Sequence, residues 1–172
     1  MNYIKITKND IANGPGVRVV LWTAGCDHRC KGCHNPQTWN PNSGNLYTDV
    51  VLGELLTALQ KPYVKGLTFS GGDPLHKNNI RDIRDIIIRV KNDYPEKDIW
   101  LYTGYKVEDI NNSTDQDMLI RKEILSLCDV VVDGRYEESK RNILLPWCGS
   151  SNQRVIDINK SKTQNKIVLY KS

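Results

Sequence analysis

Short apolar segments rich in β-branched residues alternate along this chain with segments whose apolar residues recur at helical spacing. Strands are predicted over residues 17–22, 66–69, 99–102 and 130–132, with later candidates at 155–158 and 167–170. Helices are predicted over residues 49–60, 80–90 and 118–127. Pro95 prevents the second helix from continuing much further. Such alternation is typical of a parallel sheet built from βα units.

The length of the chain limits how many of these units it can hold. A βα unit takes roughly 30 residues, so the 172 residues hold about five to six units. A closed barrel needs about eight. The predicted fold is therefore α/β, either an open partial (βα) barrel or a doubly wound sheet, in one domain over residues 1–172. In both architectures the functional residues lie at the carboxyl ends of the strands.

Three of the five cysteines follow the first predicted strand closely, as Cys26, Cys30 and Cys33 in a glycine-containing segment. Three interpretations are open: ordinary buried thiols, a zinc site completed by His28 or His34, and a [4Fe–4S] cluster with three protein ligands. Buried cysteines seldom gather in such a loop, and the paired C-x2-C segments of many zinc sites are absent. The iron–sulfur interpretation is therefore favoured. Because electron-transfer clusters usually have four cysteine ligands, three would leave one iron open to a cofactor or substrate.

Polar or glycine-containing segments follow the next three predicted strands. The first is Ser70-Gly71-Gly72-Asp73, whose glycines would let backbone atoms approach a ligand with no Cβ in the way. A plain strand-to-helix turn capped by Asp73 or Asn78 is the alternative. Thr103 follows the third strand, and Asp133 ends the fourth. Both would lie at the same edge of the sheet, although ordinary turns account for them nearly as well.

The cysteine motif resembles the signature of the radical S-adenosylmethionine superfamily. The longer string from Cys26 to Asn35 and the upstream string from Asn13 to Arg18 are similar to those of the activating proteins of anaerobic (class III) ribonucleoside-triphosphate reductase. The segment 149–154 also resembles that family, whereas Cys148 departs from its usual pattern. The fold that this resemblance implies is an open partial barrel of the radical S-adenosylmethionine type.

The resemblance also implies a chemistry. A [4Fe–4S] cluster would be held by Cys26, Cys30 and Cys33, with S-adenosylmethionine bound to the fourth iron. Reductive cleavage of this cofactor would give a 5′-deoxyadenosyl radical, which takes a hydrogen atom from a glycine in the large subunit of the reductase. A flavodoxin- or ferredoxin-type protein would donate the electron, and no catalytic residue is expected beyond the cluster and cofactor. The residues expected to contact the cofactor are Gly32, Cys33, His34, Ser70, Gly71, Gly72, Asp73, Thr103 and Asp133.

Charge and composition exclude some partners. The formal net charge of +4 is spread among acidic residues rather than gathered in a basic stripe, so nucleic acid is not an expected partner. No segment approaches about 18 consecutive apolar residues, and residues 1–5 do not begin an apolar leader. A cytoplasmic protein without a membrane span is expected, with structural roles for Cys128 and Cys148. Two other functions stay open: activation of a different glycyl-radical enzyme, and a non-catalytic zinc-binding adaptor.

Overall fold

The computed structural model describes residues 1–171. Its strands are β1 (Asn2–Asp10), β2 (Val17–Thr23), β3 (Asn45–Leu46), β4 (Val64–Gly71), β5 (Asp98–Tyr102), β6 (Val130–Asp133) and β7 (Arg154–Asp157). Its α-helices are α1 (Asp49–Leu59), α2 (Ile80–Asp93), α3 (Val107–Asn111), α4 (Gln116–Leu127) and α5 (Ile158–Gln164). All seven strands form one sheet with the order β3-β1-β2-β4-β5-β6-β7. Within residues 1–171, every helix is too short or too polar to cross a membrane.

The centre of the sheet is parallel, and its flanks are antiparallel. Strands β2, β4, β5 and β6 run parallel in their order along the chain, whereas β1 and β7 lie antiparallel beside β2 and β6. The predicted α/β class is confirmed, and the sheet is open. Its four parallel strands are fewer than the about five to six units expected from chain length. The segments joining β1 to β2 and β6 to β7 contain no α-helix, and strands joined without a crossover helix pair antiparallel.

The remaining differences from the prediction are additional elements and the last two candidate strands. The first four predicted strands correspond to β2, β4, β5 and β6, and the three predicted helices to α1, α2 and α4. Strands β1 and β3 and helices α3 and α5 have no counterpart in the prediction. The candidate strand at 155–158 ends at Asp157, whose carboxylate caps α5 by accepting from the amide of Lys160 (2.9 Å). The candidate at 167–170 is wrong as a strand, because it forms a single bridge, between Leu169 and Ile156.

The helices pack against one face of the sheet. On that face, alternate strand residues such as Leu21, Phe69 and Leu101 share a buried apolar core with helix residues such as Leu55 and Ile83. Side chains alternate between the two faces along a strand, so the neighbouring residues point the other way. The opposite face lines a cleft with Trp22, Ser70, Tyr102 and Val132.

A buried arginine fixes the loop that leads into β2. Arg18 is fully buried and forms an ion pair with Asp98 (2.6 Å). Its Nε donates to Thr68 Oγ1 (2.7 Å), and the Thr68 hydroxyl donates to the carbonyl of Asn13 (2.9 Å). A Cβ on Gly14 would lie 2.8 Å from Arg18 Cδ, so a side chain there would displace the arginine. These contacts fold the loop back over the face of the sheet that carries the cleft.

Candidate cluster and cofactor site

The cleft lies at the carboxyl ends of the parallel strands and has a volume of about 580 Å³. That is within the range of small-molecule sites, about 300 to 1,000 Å³. Two loops supply much of its lining: the cysteine loop (residues 24–35) after β2, and the Gly-Gly loop (residues 70–79) at the end of β4. The predicted site residues that line the cleft are Cys26, Cys30, Cys33, His34, Ser70, Gly71, Gly72, Asp73 and Thr103. The two predicted residues outside this lining are Gly32 and Asp133.

Backbone hydrogen bonds hold the cysteine loop against the segment that follows it. The amide of Gly25 donates to the carbonyl of Thr38 (2.8 Å), and the amide of Cys26 donates to that of Trp39 (3.0 Å). Gly32 has φ +72°, and a Cβ there would lie 2.8 Å from the carboxylate of Glu138. Glycine is therefore required at position 32 by the backbone conformation of the loop and by its contact with Glu138. Its predicted contact with the cofactor stays a prediction.

The three motif cysteines are free thiols, each half-buried. Burial, together with the nearby charge of Asp73, raises the pKa of Cys26 to about 11, and burial also raises the pKa of Cys30. The thiols of Cys26 and Cys30 are therefore protonated near neutral pH in the metal-free protein. Metal ligation requires the thiolate, so binding iron must release protons. Cys33 Sγ accepts a hydrogen bond from the amide of Asn35 (3.4 Å), which orients that sulfur.

Asp73 is almost fully buried, and its carboxylate is surrounded by hydrogen-bond donors. It accepts from the amides of Leu75 (2.8 Å) and Gly104 (3.0 Å) and from the hydroxyl of Thr103 (3.0 Å). His28 Nε2 of the cysteine loop lies 2.7 Å from Asp73 Oδ2. An ionised carboxylate offers about four acceptor sites, and these four donors come from three loops. Asp73 therefore connects the walls of the cleft, and its predicted contact with S-adenosylmethionine stays a prediction.

The two glycines before Asp73 allow close contact between backbones. A Cβ on Gly71, whose φ is +106°, would lie 2.6 Å from the carbonyl oxygen of Thr23. One on Gly72 would lie 2.5 Å from the carbonyl oxygen of Gly25. The Gly-Gly loop therefore packs backbone to backbone against the end of β2 and the start of the cysteine loop, immediately before Cys26.

Asp133 is fully buried beneath the cleft. Its carboxylate accepts from the amide of Val107 (3.0 Å) and from Arg154 Nε (2.9 Å). Arg154 also pairs with Glu108, whose pKa this guanidinium lowers to about 2. These contacts connect β6 and β7 to the start of α3, and the predicted bond from Asp133 to a ribose stays a prediction.

Comparisons with known proteins agree with this geometry. Residues 12–156 match the family model described as "4Fe-4S single cluster domain". The chain is 46% identical over 155 residues to the anaerobic ribonucleoside-triphosphate reductase-activating protein of Enterobacteria phage T4, covering 90% of this chain and 93% of that protein. It is 39% identical over 157 residues to the protein of the same name from Escherichia coli (strain K12), covering 90% and 97%. The chain belongs to this family of activating proteins.

The region that matches the family model includes the whole cleft. The matched region begins in the loop that Arg18 holds and ends in β7, so it contains every residue that lines the cleft. The description of the family model supports a [4Fe–4S] cluster in this chain. In such a cluster each cysteine binds a different iron, so the three sulfurs need not converge on one point. Within residues 1–171, no three Cys, His, Asp or Glu side chains are grouped closely enough to hold a single metal ion.

Several residues that line the cleft are absent from the predicted list of residues that contact the cofactor. Among the further residues that line the cleft are Trp22, Tyr102, Tyr136, Trp147 and Gln153. Trp22 and Tyr102 lie at strand ends, and Gln153 lies in the segment 149–154 that resembles the family; both positions are usable signals. Cys148 also lines the cleft, and burial raises its pKa to about 11, whereas Cys128 lies in the apolar core.

Proposed function

We propose that this protein activates an anaerobic ribonucleoside-triphosphate reductase by forming a glycyl radical on the large subunit of that enzyme. One observation carries the proposal: the three thiols of the cysteine loop and the Gly-Gly loop line one cleft. The chain that contains this cleft is 37–46% identical to proteins named for that activation. Cytoplasm is the proposed location, and a flavodoxin- or ferredoxin-type protein is the proposed electron donor.

Cys26, Cys30 and Cys33 are the proposed ligands of the [4Fe–4S] cluster, which leaves one iron without a protein ligand. S-adenosylmethionine is the proposed cofactor at that iron. The cleft fits both groups, because three soft sulfur donors stand beside the bare backbone of Gly71 and Gly72 in a space of about 580 Å³. When bound, the two groups supply a carbon-centred radical that takes a hydrogen atom from the target glycine.

The aromatic residues of the cleft shield this chemistry from water. Trp22 and Tyr102 cover the sheet beneath the cleft, and Trp147 stands at its side, packed edge-on against Trp100 (5.1 Å). Burial raises the pKa of Tyr102 well above its usual range, so its phenol stays neutral. A reactive radical is protected when water and stray hydrogen donors are kept out of the site.

We infer that the sheet is an open partial barrel of the radical S-adenosylmethionine type, and that residues 1–172 form one such domain. Support comes from the helices, which pack on one face of the sheet. A doubly wound sheet would carry helices on both faces. An open side gives room for a glycine carried on a loop of a large protein, which a small free substrate would not need.

Two exposed aliphatic residues support a large partner at the cleft. Ile143 and Leu144 are 79% and 87% exposed, and they lie just before Trp147 and Cys148 in the wall of the cleft. Contiguous exposed apolar side chains are a feature of protein–protein contact surfaces. The proposed partner is the surface of the reductase around its target glycine.

The test is anaerobic incubation of the cluster-loaded protein with dithionite, S-adenosylmethionine and the large subunit of the reductase. Electron paramagnetic resonance should detect a glycyl-radical doublet that disappears when the target glycine is changed to alanine. Cys26→Ala, Cys30→Ala and Cys33→Ala should each abolish cluster assembly and cofactor cleavage. Cys128→Ala should keep the iron content of the parent.

Two results would contradict the proposal. If cluster and cofactor are in place but no radical forms on the reductase, the reductase assignment is wrong, and other glycyl-radical enzymes become the targets to assay. If the purified protein holds zinc without iron or acid-labile sulfide, the adaptor interpretation replaces it.

A further inference from the structure

Two histidine–aspartate pairs join the cysteine loop to the Gly-Gly loop in opposite directions. His28 of the cysteine loop reaches Asp73 of the Gly-Gly loop, with 2.7 Å between Nε2 and Oδ2. His76 of the Gly-Gly loop reaches Asp27 of the cysteine loop, with 3.4 Å between the corresponding atoms. The two loops that would hold the cluster and the cofactor are therefore connected by side chains as well as by backbone contacts.

The pair between His28 and Asp73 is the stronger connection. Their side chains are 6% and 2% exposed, so water competes little for this hydrogen bond. In the other pair, the Asp27 side chain is 71% exposed and the distance is longer. An ion pair whose carboxylate is this exposed contributes little, although the His76 ring itself is buried.

The surroundings of His28 fix its ring in one place. Gly104 leaves room for the ring, because a Cβ there would lie 2.3 Å from His28 Cδ2. The ring of Tyr105 packs edge-on against it at 4.7 Å. Tyr105 in turn lies under the guanidinium of Arg121 (4.8 Å), whose Nε donates to the carbonyl of Leu75 (2.7 Å). The chain of contacts therefore returns to the Gly-Gly loop.

We propose that His28 is a positioning residue that acts through Asp73 and sets the distance between the cluster and the cofactor-binding Gly-Gly loop. This inference rests on the proposed function, because it assumes that S-adenosylmethionine spans the two loops. The open iron and the Gly-Gly loop would hold the cofactor together, so binding would be favourable only when the two loops keep their spacing. Losing the His28–Asp73 bond should weaken cofactor binding and leave the three thiols able to assemble the cluster.

The experiment measures iron content and S-adenosylmethionine binding in the isolated, cluster-loaded protein, without the reductase. Binding is followed by the change in the electron paramagnetic resonance spectrum of the reduced cluster during titration. His28→Leu should keep the iron content of the parent and raise the dissociation constant of the cofactor about 10- to 100-fold. His28→Gln places an amide donor near the position of Nε2. Its dissociation constant for the cofactor should lie within about threefold of the parent's, which corresponds to a small part of the free energy of one hydrogen bond. Asp27→Asn is the matched control, and a change of less than about threefold is expected because the Asp27 carboxylate is exposed to solvent.

Three results would overturn the inference: iron loss in His28→Leu equal to that in Cys26→Ala, unchanged cofactor binding in His28→Leu, or an equal loss of binding in Asp27→Asn. If His28→Leu does not fold, the cofactor affinities of His28→Gln and His28→Asn are compared instead, because only the longer glutamine side chain reaches Asp73. Equal cofactor affinities in those two variants would then refute the role. Normal cofactor binding without a glycyl radical would refute the reductase assignment alone, whereas a parent protein that binds no S-adenosylmethionine would refute both.

Discussion

Replacing Gly104 by alanine tests whether the buried contacts around His28 are as tight as the structure indicates. The new Cβ would lie 2.3 Å from His28 Cδ2 and 2.7 Å from Nε2. Ordinary contacts between carbon atoms are about 3.5 Å, so the ring must retreat by roughly 1 Å. Its bond to Asp73, now 2.7 Å, would then exceed the usual hydrogen-bond range of about 2.7 to 3.2 Å.

The expected cost has two parts. A hydrogen bond to a charged group contributes about 1.5–3 kcal/mol, and crowding a packed interior costs about 1–3 kcal/mol. The His28 ring is held by Tyr105, so it cannot simply swing into solvent. A loss of about 3 kcal/mol in the free energy of unfolding is therefore expected for Gly104→Ala.

Gly53→Ala provides a control with the same chemical change. Gly53 is exposed in the middle of α1, and an added Cβ meets nothing within 4 Å. This variant should be more stable than the parent by about 0.5–1 kcal/mol, because alanine favours the helix. Urea titrations of the reduced, cluster-free protein, followed by tryptophan fluorescence, would measure both. Two variants within about 1 kcal/mol of each other, against the roughly 4 kcal/mol expected, would refute the reasoning about the His28 pocket.

Three further predictions follow from other contacts. Arg18→Leu leaves the carboxylate partner of this arginine without its cation, so a loss of about 3 kcal/mol is expected in urea titrations, and a loss below about 1 kcal/mol would contradict this account. The ion pair with Arg154 holds the pKa of Glu108 at about 2, so its stabilisation is present above the ordinary value near 4.5 and is lost as the pH falls towards 2. Because Glu108 is half exposed, Glu108→Gln should cost at most about 1 kcal/mol at pH 6 and less at pH 3, and a difference independent of pH would contradict the pairing. Leu144→Asp should lower glycyl-radical formation at least about tenfold, which corresponds to about 1.4 kcal/mol, and should leave cofactor binding unchanged. Leu46→Asp, on the edge strand β3, is the control and should not lower radical formation. Equal effects of the two substitutions would mean that the partner binds elsewhere.

The parallel centre of the fold is readable from the sequence because its strands are buried and therefore apolar. Strand β1 cannot be recognised in this way, because every one of its residues is partly buried or exposed, and polar residues occur throughout Asn2–Asp10. The antiparallel placement of β7 is equally hidden, because it depends on the absence of an α-helix between β6 and β7.

The site divides in the same way. Cys26, Cys30 and Cys33 lie close together in sequence, so their grouping needs no knowledge of the fold. The hydrogen bond between His28 and Asp73 joins residues 45 positions apart, and no local sequence pattern predicts it. Gly104 is likewise interpretable only when the neighbouring ring is known.

The single carboxylate of Asp73 also has a consequence for how sequences of this family can diverge. Its donors come from three separate segments, represented by His28, Leu75 and Thr103. A substitution in one segment changes the hydrogen bonds that the other two segments make with Asp73. The effects of substitutions in different segments should therefore be epistatic rather than additive. Double-mutant cycles between His28 and Thr103 should give coupling energies of about 0.5–3 kcal/mol. Neutral drift in any one of the three loops is thereby conditioned on the residues present in the other two.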